Sequence, residues 1–327
     1  MSDRPLRGPA PRRSTDHPAR PTIPAGLAPA AEAPARLRVG VVGAGRVGAV
    51  LGAALTAAGH DVVAASGLSA ATAARAARLL PGVPLLPADE VVAASDLVVL
   101  AVPDDILSGL VSGLAETGAW RRGQLLFHTS GAHGLAVLAP AEQAGVLPLA
   151  LHPAMTFSGG PEDLQRLVAA PFGVTSRPEH RAVAETLVLE MGGEPFWVDE
   201  ADRGLYHAAL VTGANHLVTL VAEAADLLRT AGVADPARVL GPLLTAALDN
   251  GLRRGDRGLT GPVSRGDVGT VAAHIETLTE RAPSSVDAYV ALARRTTERA
   301  LASGRLKRHE GAPLLELLSG STEEAAR

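Results

Sequence analysis

Histidine is the residue type in this chain best suited to acid–base chemistry near neutral pH, because its ordinary pKa is about 6.5. His152 stands out among the ten histidines because it ends the apolar run VLPLAL and precedes Pro153. A proline disfavours helical geometry in the residue before it, which favours an imidazole aimed outward from a strand end. His152 is therefore a candidate proton donor or acceptor, and a structural role at the strand end is the alternative.

Two short motifs contain further polar candidates. In FHTSGAHG, Ser130 ends a predicted strand and begins the turn after it, where its hydroxyl could bind a substrate oxygen or cap the next helix. In YHAALVTGANH, His207 and Asn215 lie on one side of a helix, since each step of four residues advances only about 40°. A buried amide must be hydrogen-bonded, so Asn215 is expected to bind substrate or to bridge two helices. His207 is a second candidate proton donor.

A third motif, LTGPVSRGD, lies between two predicted helices and contains Arg265 and Asp267. An arginine can clamp a carboxylate through two parallel hydrogen bonds, so Arg265 is a candidate for substrate binding. The alternative is a structural ion pair between the two residues. Asp267 is expected to cap the helix that follows.

A glycine-rich motif, GAGRVG, follows the apolar run LRVGVV and opens a helical stretch. This strand–helix context gives the motif its weight, because glycines alone are weak evidence. Gly43 permits a tight turn, Gly45 lets the backbone approach a pyrophosphate, and Gly48 lets the helix pack close to the strand. The residues predicted to bind a nicotinamide dinucleotide here are Gly43, Gly45, Arg46, Val47 and Gly48.

The choice between NADH and NADPH depends on the end of the next strand. An NAD site usually places Asp or Glu there to bind the ribose 2′-hydroxyl, but no carboxylate occurs between Asp61 and Asp89. Ser66 and Ser69 offer hydroxyl donors for a 2′-phosphate, and Arg46 offers positive charge. Ser69 is also placed to cap the next helix. We predict NADPH as the cofactor, with NADH as the less favoured alternative.

The segment AVPDD ends another predicted strand. The carboxyl ends of parallel strands form the ligand crevice of such sheets, so Val102 and Pro103 are expected to line the nicotinamide side. Asp104 is predicted to cap the following helix.

Composition excludes several classes of site. The 327 residues include no cysteine, which excludes disulfides and thiolate chemistry. The histidines and carboxylates show no metal-ligand spacing, and no serine lies in a nucleophile elbow. A net charge of −4 offers no basic surface for nucleic acid or an anionic membrane. We therefore expect a small-molecule substrate and no metal.

The chain divides into segments of different character. Residues 1–36 are rich in Pro, Ala and Arg and are predicted to be a disordered tail. They lack the apolar core of a secretory signal, and no other segment offers an uninterrupted apolar run of membrane-spanning length, so a cytoplasmic protein is expected. From 37 to 199, strands alternate with helices, which favours a doubly wound α/β fold of the Rossmann type, with a parallel sheet. The predicted strands are 37–42, 60–66, 83–86, 96–102, 124–130, 146–151, 172–175 and 195–198. Between them, helices are predicted at 70–80, 104–117 and 134–144, besides the helical stretch that GAGRVG opens.

After Asp199 the pattern is helical only. Helices are predicted at 201–231, 236–253, 267–280 and 284–303, and this all-helical domain is expected to span 200–317, with a tail at 318–327. Few charges interrupt these helices, so their apolar faces are expected to pack on the sheet or on a second copy of the chain. A homodimer through the helical domain is the resulting prediction.

Six motifs occur in order along residues 37–317 and together resemble a known family. They are GAGRVG, AVPDD, FHTSGAHG, LHPAMTF, YHAALVTGANHLVTL and LTGPVSRGD. The family consists of Rossmann-like oxidoreductases with a helical C-terminal domain of formerly unknown function. It is related to ketopantoate reductases, pyrroline-carboxylate reductases and prephenate dehydrogenases, and the resemblance extends to alternative ketopantoate reductases of actinobacteria.

The resemblance implies an NADPH-dependent reductase of a small keto acid, with 2-dehydropantoate (ketopantoate) in pantothenate synthesis as the leading substrate. Many ketopantoate reductases use a lysine of the long helix as proton donor, but the only lysine here is Lys307, outside every motif. Prephenate dehydrogenases place a catalytic histidine in an HP motif, which implies the same role for His152. A dehydrogenase acting on prephenate or arogenate, and a non-catalytic NADP(H)-binding regulator, are the alternatives.

Overall fold

A computed structural model describes residues 36–324, so the predicted N-terminal tail lies, apart from Arg36, outside the described residues. Its sheet has seven strands in the order β2-β1-β3-β4-β5-β6-β7. The strands are β1 (Arg38–Val42), β2 (Asp61–Ser66), β3 (Leu97–Leu100), β4 (Leu125–His128), β5 (Leu147–Pro153), β6 (Pro171–Ser176) and β7 (Glu194–Trp197).

Helices follow most strands, and helices alone follow β7. They are α1 (Arg46–Ala57), α2 (Ala70–Leu79), α3 (Ala88–Ala94), α4 (Asp104–Glu116), α5 (Ala139–Gln143), α6 (Glu162–Leu167), α7 (Arg181–Glu190), α8 (Arg203–Thr230), α9 (Pro236–Arg254), α10 (Val268–Arg281), α11 (Val286–Ala302) and α12 (Arg308–Glu324). The predicted α/β fold followed by a helical domain is confirmed.

The sheet is mostly parallel, and its last two strands depart from the prediction. Strands β1 to β5 are parallel to one another, whereas β6 runs antiparallel to β5, and β7 is parallel to β6. The antiparallel register pairs His152 with Gly173. This pairing sets what lies beside the candidate histidine.

Three predicted boundaries need correction. The strand at 83–86 is reduced to a single bridge between Ala65 and Leu85, because the prolines in PGVPLLP have no N–H to extend the ladder. The helix at 134–144 is a short 3₁₀ turn followed by α5. The boundary at 317 falls inside α12, whose Leu318 is fully buried.

Two apolar cores cover the faces of the sheet. One contains buried residues of α1, α2 and α7 together with Leu167 of α6, and the other contains residues of α3, α4 and α5. Strand β3 (LVVL) is buried throughout, as expected of a central strand covered on both faces. This rigid layer fixes the positions of the loops at its carboxyl edge.

The helical domain is only partly buried. Residues of α10, α11 and α12 form a third core, but the middle of α8 and most of α9 are exposed. Burial of these apolar helices on the chain's own sheet, one of the two predicted arrangements, is therefore wrong for α8 and α9. Among the described residues, the segment Glu200–Thr230 is also long and apolar enough, by length and composition, to cross a membrane, a test that a core helix of a soluble protein can also pass.

Candidate active site

A cleft of about 670 Å³ opens at the carboxyl ends of β1, β2 and β3. Strand β1 connects to β2 on one side and lies beside β3 on the other, so this is the topological switch point where open α/β sheets bind ligands. Six of the predicted cofactor residues line it: Gly43, Gly45, Ser66, Ser69, Val102 and Pro103. Arg46, Val47 and Gly48 lie on the adjoining first turn of α1.

The glycines of GAGRVG have different surroundings. Gly43 has a φ of +92°, and a Cβ there would lie 2.6 Å from the Ala101 carbonyl oxygen. A Cβ on Gly48 would overlap the Gly43 carbonyl oxygen. A Cβ on Gly45 would meet only that same oxygen, at 3.9 Å. Gly43 and Gly48 are thus needed by the fold itself, whereas Gly45 leaves space that a ligand can use.

The two serines at the end of β2 are already hydrogen-bonded. Ser66 Oγ accepts the Gly43 N–H at 3.1 Å, which ties β2 to the glycine turn. Ser69 Oγ accepts the Thr72 N–H at 3.1 Å and so caps α2, the alternative foreseen for it. Asp104 is the first residue of α4 and makes no capping hydrogen bond, because Pro103 occupies the cap; its predicted capping role is wrong.

Arginine side chains surround the start of α1 on the cleft's flank. Arg46 and Arg75 both pack on Gly159, and Arg78 donates to the Gly159 carbonyl oxygen at 2.6 Å. The buried Nε of Arg75 has no hydrogen-bond partner within the described residues. The first turn of α1 has no side-chain cap and no acidic residue, so its N–H groups face the cleft edge uncompensated. These donors and charges fit a phosphate-bearing dinucleotide. Arg75 was not singled out from the sequence, because its spacing marks it only as a helix-surface arginine.

A second polar cluster lies where β4 and β5 end. His152 Nδ1 is hydrogen-bonded to the Tyr206 hydroxyl at 2.8 Å, and the His207 ring stands edge-on to His152, with 6.1 Å between ring centroids. A Cβ on Gly131 would lie 2.7 Å from His207 and 3.0 Å from His152 Nε2. The structure thus brings together two of the predicted catalytic residues, His152 and His207, against the turn that follows β4.

His152 is a neutral imidazole in this environment. Burial lowers its pKa to about 4, and the positive charge of Arg203 adds to that effect. An imidazole with this pKa is almost entirely unprotonated, and so uncharged, at pH 7.

Arg203 is a fully buried cation at the first turn of α8. Its guanidinium donates to Thr175 Oγ1 at 2.8 Å and to the carbonyl oxygens of Ala150 and Gly173 at 2.9 and 3.0 Å. Burial lowers its pKa to about 10. None of its hydrogen bonds within the described residues is to a carboxylate, which is unusual for a buried charge.

The turn after β4 is shaped by polar contacts of its own. His128 bonds the Gly134 carbonyl oxygen through Nε2 and accepts the Ser130 N–H through Nδ1. Ser130 Oγ accepts the N–H groups of Ala132 and His133, both at 3.2 Å. Ser130, predicted as catalytic or capping, therefore caps the turn, while its backbone adjoins Gly131 in the cluster.

Two predicted residues lie apart from this cluster. Asn215 is exposed two turns further along α8, and its side-chain amide makes no hydrogen bond within residues 36–324. The prediction that this amide is buried is therefore wrong for a single chain. Arg265 is exposed on a 3₁₀ turn of the helical domain. Asp267 accepts the Thr270 N–H and caps α10, which confirms that prediction.

Tyr206 and Arg203 are the functional residues that sequence reasoning missed. Tyr206 directly precedes His207 in the motif YHAALVTGANH, but nothing in its spacing distinguishes it from an aromatic residue that only packs in the core. Arg203 begins a helix, where a solvated basic side chain is the ordinary expectation. Only the tertiary structure shows the burial of the arginine and the contact of the tyrosine with His152.

Known proteins match this chain in parts. Residues 26–153 match a family model described as a Rossmann-like domain, and residues 170–296 match one described as a domain of unknown function, DUF2520. Comparison with curated proteins found no match.

Solved structures share the fold at low identity. A provisionally named NADP oxidoreductase from Bacteroides fragilis has a TM-score of 0.66 at 23% identity, covering 80% of this chain and 98% of that one. An imine reductase variant from Myxococcus stipitatus, in complex with NAD+, has a TM-score of 0.56 at 18% identity, covering 84% and 100%. A pyrroline carboxylate reductase from Plasmodium falciparum with NADP bound has 0.51 at 12%, covering 81% and 98%. The chain therefore matches, in order, a Rossmann-like domain and the DUF2520 domain, the combination that its motifs predicted.

Proposed function

We propose that this chain is a cytoplasmic NADPH-dependent reductase of a small keto acid, with 2-dehydropantoate as the leading substrate and pantothenate synthesis as its context. The observation that carries the proposal is the position of two features on one sheet edge. The glycine-turn cleft lies at the ends of β1 to β3, and the His152 cluster lies at the ends of β4 and β5. A dinucleotide and a substrate bound at this edge would be neighbours.

The cofactor assignment rests on the residues around α1. Gly45 leaves room for a pyrophosphate, the first turn of α1 offers free N–H groups, and Arg75 offers an unpartnered donor for a further phosphate. No carboxylate stands at the end of β2 to favour NADH. When bound, NADPH would supply the hydride, and the remaining chemistry would fall to the protein's side chains.

The substrate side of the site needs a proton donor for the developing alkoxide. The only lysine in the chain, Lys307, directly precedes α12, and its backbone N–H donates to Glu310 within the described residues, not to the His152 cluster. His152 presents Nε2 toward Gly131, with His207 on its flank. These two imidazoles are therefore the proposed polar groups at the reacting carbonyl.

The first experiment is NADPH absorbance over time with purified protein and ketopantoate, against pyruvate and no-substrate controls. Ketopantoate-specific oxidation is expected, and it should collapse in His152→Ala while NADPH binding, followed by fluorescence, is retained. Retained turnover in that variant would remove His152 from the mechanism. NADPH binding with no turnover of any keto acid would favour the regulator instead.

A prephenate-type dehydrogenase is the second candidate, and the HP motif at His152 is the observation that favours it. It predicts NADP⁺ reduction with prephenate or arogenate and no NADPH oxidation with ketopantoate. The same purified protein serves both assays.

A further inference from the structure

We propose that Tyr206 is the source of the proton, that His152 passes it to the substrate oxygen, and that Arg203 stabilises the tyrosinate that remains. This inference rests on the proposed reductase function and names a residue that the proposed function does not assign.

The contact between Tyr206 and His152 is built into the sheet. The hydroxyl lies 2.8 Å from His152 Nδ1, and the two rings meet edge to face with 5.5 Å between centroids. Gly173, the register partner of His152 on β6, makes room for the phenol, because a Cβ there would lie 2.7 Å from the Tyr206 hydroxyl oxygen. Any larger residue in place of Gly173 would push the Tyr206 hydroxyl away from the His152 imidazole.

The hydrogen bond fixes how the imidazole carries its proton. When the Tyr206 hydroxyl donates to Nδ1, the proton of the neutral ring must reside on Nε2. Nε2 is the nitrogen that faces Gly131, on the side opposite the phenol. His152 is thus placed to give a proton at one nitrogen while it receives one at the other.

His152 cannot supply the proton efficiently as an imidazolium. Its pKa of about 4 leaves roughly one ring in a thousand protonated at pH 7. The charged and titratable groups that face it are Arg203 and His207 on α8, which lower the pKa of His152, and Asp104 at the start of α4, which raises it. Tyr206 on α8 is its hydrogen-bond partner. Because burial raises the pKa of Tyr206, the phenol holds its proton at neutral pH and remains available to donate it.

Arg203 gains a counter-charge in this scheme. Its guanidinium carbon lies 5.9 Å from the centre of the Tyr206 ring, and its hydrogen bonds reach only neutral oxygens. The nearby carboxylate of Glu200 is already bonded to the N–H groups of Leu135 and Ala136. A buried cation without a carboxylate partner stabilises a negative charge formed beside it, and the tyrosinate is that charge.

The proton and electron balance closes. The carbonyl carbon gains the hydride, and the carbonyl oxygen gains the proton of His152 Nε2. His152 Nδ1 gains the proton of the Tyr206 hydroxyl, which leaves neutral imidazole and a phenolate. Water then reprotonates Tyr206, whose side chain is only half-buried.

The first test is made without turnover. The chain has only two tyrosines, and Tyr289 makes a matching contact, with its hydroxyl 2.9 Å from His274 Nδ1 on the exposed helical domain. Nitrogen-15 NMR of histidine-labelled full-length protein, bound to NADPH, reports the tautomer of each ring. We expect His152 in the Nε2–H form and a loss of that preference in Tyr206→Phe, but not in Tyr289→Phe. A wild-type His152 in the Nδ1–H form would reverse the direction of the hydrogen bond and overturn the relay.

The second test is the single-turnover rate of NADPH oxidation by ketopantoate. We expect Tyr206→Phe to lose at least about 100-fold in rate with NADPH binding unchanged, and Tyr289→Phe to retain the wild-type rate. In the wild type the rate of NADPH oxidation should not change between pH 6 and pH 9. If a His152 imidazolium were the acid, that rate would fall tenfold for each unit by which the pH rises. A full rate in Tyr206→Phe, or that tenfold slope, overturns the relay alone. No turnover in the wild type overturns the reductase itself.

Discussion

At the scale of single residues, the unpartnered Nε of Arg75 is the feature that bears most directly on cofactor choice. A guanidinium packed against Arg46 and the Gly159 backbone, with a buried donor unused, is a costly arrangement unless an anion completes it. A phosphate on the ribose 2′-oxygen is the group that distinguishes NADPH from NADH.

We expect Arg75→Gln to weaken NADPH binding about tenfold to a hundredfold, because a hydrogen bond to a charged group contributes about 1.5–3 kcal/mol. NADH binding should change little. Calorimetric titration of both nucleotides measures the two effects, with Arg78→Gln as the control, since its guanidinium already bonds the Gly159 carbonyl oxygen. Equal weakening of NADPH and NADH by Arg75→Gln would show a structural role instead.

Gly131 gives a second prediction at this scale. A methyl group there would press on both His207 and His152 Nε2, at 2.7 and 3.0 Å. Gly131→Ala should therefore lower turnover at least about 100-fold, by displacing the groups at the reacting carbonyl, while NADPH binding is unchanged. Gly113→Ala on α4 is the control, because a Cβ there meets nothing within 4 Å. Equal activity in the two variants would place the reaction elsewhere.

The residues found from the sequence share a local signal. His152 ends an apolar run before a proline, and Gly43 and Gly48 belong to a motif of fixed spacing, so short segments identify them. Tyr206 and Arg203 carry no such signal. Their roles arise from the antiparallel pairing of β5 with β6, which places Gly173 beside His152. The composition of β6, a strand of six residues, does not indicate the direction in which it runs.

At the scale of elements, the turn after β4 depends on a buried histidine. His128 is fully buried and bonded on both nitrogens to backbone groups of the turn. Burial lowers its pKa to about 4. The folded chain thus binds this proton less readily than the unfolded chain, whose histidines have pKa values near 6.5.

The free energy of unfolding should therefore be highest above pH 6.5. It should fall as the pH drops from 6.5 toward 4, by up to about 1.4 kcal/mol per pH unit for each such histidine. Urea unfolding at pH 7 and pH 5 measures the difference. His128→Gln should unfold more easily at pH 7, but its free energy of unfolding should fall less on acidification than that of the wild type. An unchanged acid response in His128→Gln would show that other groups cause it.

The elements themselves were predictable where their periodicity was strong. All seven strands and the helices α1, α2, α4 and α8 to α11 match predicted segments within a few residues. The helices α3, α6 and α7 were missed. With seven and six residues, α3 and α6 offer too few turns for a clear apolar stripe. Helix α12 was missed as well, because Gly311 and Pro313 within it read as breakers.

At the scale of the whole molecule, the exposed helices are the feature that one chain leaves unexplained. Helix α8 starts from the buried Arg203 and then runs outward, and α9 returns beside it. The exposed large apolar side chains on this pair are Leu205, Leu217, Val218, Leu220, Val239, Leu243, Leu248 and Leu252. Exposed apolar side chains in this number on two packed helices are typical of an interface or a membrane contact.

A second copy of the chain is the partner we expect on this surface. Asn215 lies on the exposed part of α8, and α8 is also the helix within the segment Glu200–Thr230 that is long and apolar enough to span a bilayer. The helix cannot insert along its whole length while Arg203 remains bonded to β5 and β6. Two copies packed through α8 and α9 would instead bury the apolar side chains and give the Asn215 amide the hydrogen-bonding surroundings that its motif predicts.

The wild type should therefore elute as a dimer, with light scattering reporting twice the chain mass of 33.3 kDa at micromolar concentration. Replacing Val218 and Leu243, which are 70% and 63% exposed, by glutamate should yield monomers, because each carboxylate would have to be buried at the interface. Val168→Glu, at a 67% exposed apolar position outside this surface, should remain dimeric. A monomeric wild type that co-floats with phospholipid vesicles would assign the surface to a membrane instead. If the double variant also loses keto-acid turnover while it still binds NADPH, the exposed α8 and α9 surface completes the active site of its partner.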